Sequence, residues 1–268
     1  MQAIGFIGAG NMAEAIIRGL RAVGISSEIR VTNRSNQEKL QKMAEQYMII
    51  PSTLEKIVKE SEIILLAVKP KDMLGVLKDL QKDLKSSQLL ITVAAGIPLK
   101  TYEMNLPGIP VVRVMPNTSS YVLKSMTGLV QGSVVHENHK RMAEEIFQAV
   151  GKTLWITEDK LNPLMSISGS GPAYIYLFTE TLIQAGVSSG LSEVDAEMLA
   201  KETLFGASQM LQESGKSPAR LREEVTSPKG TTLAALTVFW EKDLQDIVTS
   251  AAKACQDRAE EMEREYQG

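Results

Sequence analysis

Apolar and polar positions fall into two textures along the chain. In the first, short apolar runs alternate with amphipathic stretches. QAIGFIG (2–8) is a β-rich run, and Met12, Ile16, Leu20 and Val23 then recur at helical spacing until Gly24. EIRVTN (28–33) predicts a strand and Gln37 to Tyr47 a helix. EIILLAV (62–68) is continuously apolar, as expected of a central parallel strand covered on both faces. SQLLITVAAG (87–96) and PVVRVMP (110–116) repeat the theme, and KTLWIT (152–157) closes it. Strands alternating with helices in this way predict a doubly wound, mostly parallel sheet.

Beyond Leu161 the pattern is helical almost to the end. Three long stretches, from Pro172, Ser192 and Leu244, carry it. Ser192 with Asp195 reads as a capping box, and Ser217-Pro218 as an N-cap followed by proline at the first helical position. The expected domains are therefore residues 1–160, an α/β unit, and 161–268, an all-α unit. Leu199, Leu204, Phe205, Met210 and Leu211 place apolar groups on more than one helix face. Such helices cover the first domain, pack on a second copy of the chain, or build an internal core.

Composition narrows the class. The chain has 268 residues, 44% apolar and 23% charged, with a net charge of −3, the profile of a soluble globular protein. It has no long basic run to favour nucleic acid or an anionic membrane. Its longest apolar run, IILLAV, is too short to span a bilayer. A single cysteine, Cys255, fits a reducing compartment. The chain opens on a strand without a basic or cleavage-type leader, so a cytoplasmic location is expected.

GAGNMA (8–13) lies between a predicted strand and a predicted helix. Gly8 permits the tight turn, Gly10 lets a pyrophosphate approach the backbone, and Ala13 is small enough for close helix–strand packing. This is the phosphate turn of a Rossmann domain, and Ile7, Gly8, Ala9, Gly10, Asn11, Met12 and Ala13 are its expected dinucleotide contacts. The next strand ends in Asn33-Arg34-Ser35, with no carboxylate for a free ribose 2′-hydroxyl. Arg34 suits a 2′-phosphate, so NADP(H) is favoured over NAD(H). Ala67, Val68, Lys69 and Pro70, then Val93, Ala94 and Ala95, end later strands at the same edge and complete the expected coenzyme site. Lys69 is expected to shape the crevice and not to transfer protons.

The catalytic inventory is thin. His136 and His139, the two histidines, lie in a polar connection before a helix. One cysteine and no paired-histidine array argue against a metal. Hydride chemistry without a strong protein base suits reduction of an imine, whose nitrogen protonates near neutrality, better than oxidation of an alcohol. EVTSPKGTTLAAL (224–236) gathers four hydroxyls around a Pro and a Gly just before an apolar helix. It reads either as an ordinary helix cap or as a holder for a small anion.

FIGAGNM, LAVKP, VRVMPNT, SGSGPAY (168–174) and LREEVTSPKGTTLAAL occur in this order along the chain. Together they resemble the pyrroline-5-carboxylate reductase family, over nearly the whole length. The resemblance implies NAD(P)H-dependent reduction of L-1-pyrroline-5-carboxylate to L-proline. It also implies a Rossmann domain followed by a helical domain that dimerises, with rings of dimers in some members. Carried over by position, Ser227, Gly230 and the amides of Thr231 and Thr232 would hold the substrate carboxylate. The Thr232 hydroxyl would bond the ring nitrogen as the catalytic group. Three positions depart from the family's usual residues. Lys229 stands where glycine is common, Leu54 where asparagine is frequent, and Ser119 where proline is usual. The other readings are a related imine reductase, a β-hydroxyacid-type dehydrogenase, or a regulatory paralogue that binds nucleotide without turnover.

Overall fold

The structure, a computed structural model, describes residues 3–266. Met1, Gln2, Gln267 and Gly268, at the ends of the two expected domains, lie outside it. The first half builds an eight-stranded sheet from β1 (Ile4–Ile7), β2 (Ile29–Thr32), β3 (Ile50–Pro51), β4 (Ile63–Leu66), β5 (Leu89–Thr92), β6 (Val111–Met115), β7 (Ser125–Gln131) and β8 (Gly151–Trp155). Their order is β3-β2-β1-β4-β5-β6-β7-β8. Every pair is parallel except β6 with β7.

Helices α1 (Asn11–Ala22), α2 (Gln37–Tyr47), α3 (Leu54–Glu60), α4 (Pro70–Leu80), α5 (Leu99–Asn105) and α6 (Glu137–Gln148) connect the strands. They cover both faces of the sheet. Ile63 and Leu65 of β4 pack with Ile16 and Leu20 of α1, Met43 of α2 and Phe147 of α6. Ile64 and Leu66 face the other way, toward Ile57 of α3, Met73 and Leu77 of α4, and Tyr102 of α5. Alternate side chains thus enter two cores, which is why β4 reads as an unbroken apolar run.

A short α7 (Leu161–Leu164) runs through a π-helical turn (Met165–Gly169) into α8 (Gly171–Ser188). Then follow α9 (Glu193–Glu213), α10 (Pro218–Glu224), α11 (Thr231–Glu241) and α12 (Leu244–Arg264). Ser192 and Ser217 accept hydrogen bonds from the amides of Asp195 and Arg220, as N-caps do. The chain divides into two compact units, residues up to 170 together with 255 onward, and residues 171–254. The crossing thus comes at 170/171, against an expected 160/161. Leu161 is fully buried in the core beneath β4 and β5. Ser168 Oγ donates to the Met126 carbonyl on β7 (2.8 Å).

The last turns of α12 also belong to the first unit. Arg113 on β6, only 1% exposed, bonds Glu158 (2.9 Å) and Glu263 of α12 (2.8 Å). The second unit has almost no interior of its own. Ala196 and Ala200 on α9 are buried, while Tyr176, Leu177, Met198, Phe205, Trp240 and Ile247 are exposed. An internal helical core is therefore not what this sequence builds.

Candidate functional site

The phosphate turn forms where β1 meets α1. Gly8 has φ +106°, and a Cβ there would lie 2.5 Å from the Ala67 carbonyl oxygen. Only glycine fits. Gly10 is different. Its φ of −70° suits any residue, and an added Cβ would meet only the Ala67 oxygen, at 3.8 Å. The fold gives no reason for glycine at that position; an approaching ligand does. Gly10 is exposed and caps α1 with no side-chain hydrogen bond. The first-turn amides and the positive end of the helix are thus left for an anion. These residues fit a dinucleotide's pyrophosphate.

The strand register gathers the other expected coenzyme residues. Thr32, Ile7, Leu66 and Thr92 lie side by side across β2, β1, β4 and β5. Asn33, Gly8, Ala67 and Val93 follow them at the carboxyl edge of the sheet, where the strand order reverses. Val68 and Ala95 are half-buried and Ala94 is buried. Lys69 is exposed and caps α4, with Pro70 at its first position.

Arg34 stands clear of the surface, its side chain 84% exposed, and among the described residues it pairs with Asp79 at 3.4 Å. An exposed pair of that length is weak and leaves the guanidinium free to take a phosphate. Asn33 donates through Nδ2 to the Asn36 carbonyl (3.0 Å), which shapes the turn into α2. One residue beside this site was not singled out from sequence. Lys39 reaches from α2 to Asn11 Oδ1 (3.0 Å) and Glu14 Oε2 (2.8 Å) on α1. Its signal was faint: a lysine three positions after an N-capping asparagine looks like ordinary helix surface.

The hydroxyl turn lies in the second unit. Gly230 N–H donates to the Ser227 carbonyl (3.0 Å), with Pro228 at the second position and Lys229 at φ +61°. These are the marks of a type II turn, whose third residue is ordinarily glycine. Lys229 therefore holds a left-handed conformation at a cost of about 1–2 kcal/mol. Gly230 then caps α11 with no side-chain hydrogen bond. Thr226 Oγ1 donates to the Arg222 carbonyl (2.6 Å) and stabilises the end of α10. Ser227, Thr231 and Thr232 are exposed and carry no side-chain bond within the described chain. Of the two readings of this segment, the ordinary side-chain cap is not realised.

Other polar groups are not among the expected site residues. His136 caps α6 and His139 lies in its first turn, accepting the His136 N–H at Nδ1 (3.2 Å). The sequence had put both before the helix. Tyr102, buried and bonded to Thr92 (2.8 Å), has its hydroxyl pushed up to about 12 by burial. A groove of about 650 Å³ runs among α5, β7 and β8 and contains none of the expected site residues.

Comparison with known proteins gives matches in both halves of the chain. Residues 158–262 match the family model "Pyrroline-5-carboxylate reductase dimerisation". Residues 3–96 match "NADP oxidoreductase coenzyme F420-dependent". The pyrroline-5-carboxylate reductase of Corynebacterium melassecola is 37% identical over 268 residues, covering 98% of this chain and 99% of that protein. A solved structure of a pyrroline-5-carboxylate reductase from Coxiella burnetii aligns with TM-score 0.91 at 37% identity, over 97% of each chain. The Plasmodium falciparum pyrroline carboxylate reductase, with NADP bound, aligns with TM-score 0.86 at 29% identity, over 97% of this chain and 98% of that one.

Proposed function

Because the chain belongs to the pyrroline-5-carboxylate reductase family, we propose that it reduces L-1-pyrroline-5-carboxylate to L-proline with NADPH. The observation that carries the chemistry is the start of α11. Among the described residues the three hydroxyls of Ser227, Thr231 and Thr232 carry no bond, around a helix end that no side chain caps. In this reading the Ser227 hydroxyl and the amides of Thr231 and Thr232 hold the substrate carboxylate, and Gly230 keeps the backbone accessible. The Thr232 hydroxyl bonds the ring nitrogen.

NADPH, when bound, would supply the hydride for the imine carbon. The ring nitrogen, protonated near neutrality, receives the C=N electron pair, so no protein base is required. Orientation by Thr232 is what the chain contributes. Ile7 to Ala13, with Ala67 to Pro70 and Val93 to Ala95, would hold the coenzyme. Asn33, Arg34 and Ser35 would select the 2′-phosphate.

The exposed apolar faces of α8, α9, α11 and α12 support a homodimer through the helical unit. Among the described residues no helix is long and apolar enough to cross a membrane. With the single free Cys255, this supports a cytoplasmic site of action. The test follows NADPH absorbance with pyrroline-5-carboxylate and identifies the product. Stoichiometric proline is expected; nucleotide binding without consumption of either reactant would refute the assignment.

A further inference from the structure

Glu14 raises a difficulty for the phosphate turn. It sits in the first turn of α1, where a carboxylate favours the helix but repels an anion bound at the same helix end. Lys39 answers it. Its ammonium bridges Glu14 Oε2 (2.8 Å) and Asn11 Oδ1 (3.0 Å), and Asn11 is the first residue of α1. The lysine and glutamate side chains are only 27% and 21% exposed, so solvent screens them less than a surface pair. Tyr47 also reaches Glu14, at Oε1 (3.4 Å). Burial and the nearby Glu14 raise its pKa, so the phenol keeps its proton and donates a hydrogen bond without cancelling charge.

We propose that Lys39 is a positioning residue for the coenzyme: it neutralises Glu14 and fixes Asn11, keeping the start of α1 receptive to the pyrophosphate. The inference rests on the coenzyme reading above and divides the labour of the two cations. Arg34, exposed and held by one weak pair with Asp79, reads the 2′-phosphate. Lys39, tied to α1, serves the part shared by NADPH and NADH. Its place is set by backbone, because the amide of Lys39 is the one that the Asn36 side chain caps (2.8 Å). A side-chain substitution leaves that cap intact.

The experiment titrates NADPH and NADH into wild-type protein, Lys39→Met, and Glu14→Gln/Lys39→Met, following binding by fluorescence or calorimetry, with thermal unfolding in parallel. Lys39→Met should raise both dissociation constants about tenfold, the loss expected of one charge-assisted contact. Removing Glu14 as well should restore most of the affinity, a rescue that a merely structural lysine would not show. A loss confined to NADPH would put Lys39 on the 2′-phosphate and overturn the proposal. So would unchanged affinity, or a double variant as weak as the single one. Wild-type protein that bound neither nucleotide would overturn the coenzyme reading beneath it.

Discussion

Replacing Thr232 by alanine separates a substrate site from a helix cap. The threonine hydroxyl is exposed and bonds nothing in the described chain. Its removal should therefore change stability by no more than about 0.5 kcal/mol, as for surface positions generally. A capping threonine would cost about 0.5–2 kcal/mol instead. In the reaction the same hydroxyl would bond a ring nitrogen that is positively charged in its reactive form. Such bonds are worth about 1.5–3 kcal/mol, or roughly 10- to 150-fold in rate. Turnover at saturating substrate, followed by NADPH absorbance, should fall by at least about tenfold in Thr232→Ala and recover in Thr232→Ser. Tm should stay near wild type in both. Wild-type turnover in Thr232→Ala would refute the reasoning, as would a loss of turnover tracking a matching loss of Tm.

Four further outcomes follow from the structure. Gly10→Ala should fold normally, because its Cβ meets nothing closer than 3.8 Å, yet bind NADPH at least about tenfold more weakly. Gly8→Ala, blocked by the Ala67 carbonyl at 2.5 Å and a φ of +106°, should be destabilised outright; equal behaviour of the two on unfolding and titration would contradict the turn geometry. Arg34→Ala should weaken NADPH by about tenfold or more while NADH binding barely changes; equal losses would remove the 2′-phosphate assignment. Desolvation, followed by the neighbouring His136, holds His139 below its ordinary value, so the folded chain binds fewer protons there than the unfolded chain. Its contribution to stability should be complete above about pH 6.5 and decline as pH falls through the folded value. His139→Gln should flatten that part of a Tm–pH profile, and an unchanged slope would show the shift to be unimportant.

Much of the nucleotide half was legible because its signals are local. The glycines of the first turn, the doubly covered β4 and the carboxylate-free end of β2 each announce themselves within a few residues. β7 did not. Gly128 interrupts SMTGLVQ, and its reason lies elsewhere in the chain: a Cβ there would lie 2.7 Å from Leu164 Cδ1. Arg113 is hidden in the same way, since VVRVM gives no hint that the arginine's carboxylates come from Glu158 and from Glu263, 150 positions away. In the hydroxyl turn the residues were visible, but not that three of the four hydroxyls stand unbonded. That distinction required the backbone.

The return of α12 to Arg113 makes the helical unit an insertion rather than an appendage. The chain departs after Ser170 and re-enters at Cys255, and those two side chains touch at 3.3 Å. Trimming from the carboxyl end past Glu263 would leave the buried Arg113 guanidinium with Glu158 as its one remaining carboxylate among the described residues, a destabilising loss. Excising 171–254 and splicing the neighbouring ends would spare it. Whatever the inserted helices came to bind or pair with, they could be exchanged as a cassette while the nucleotide half kept its own closing latch.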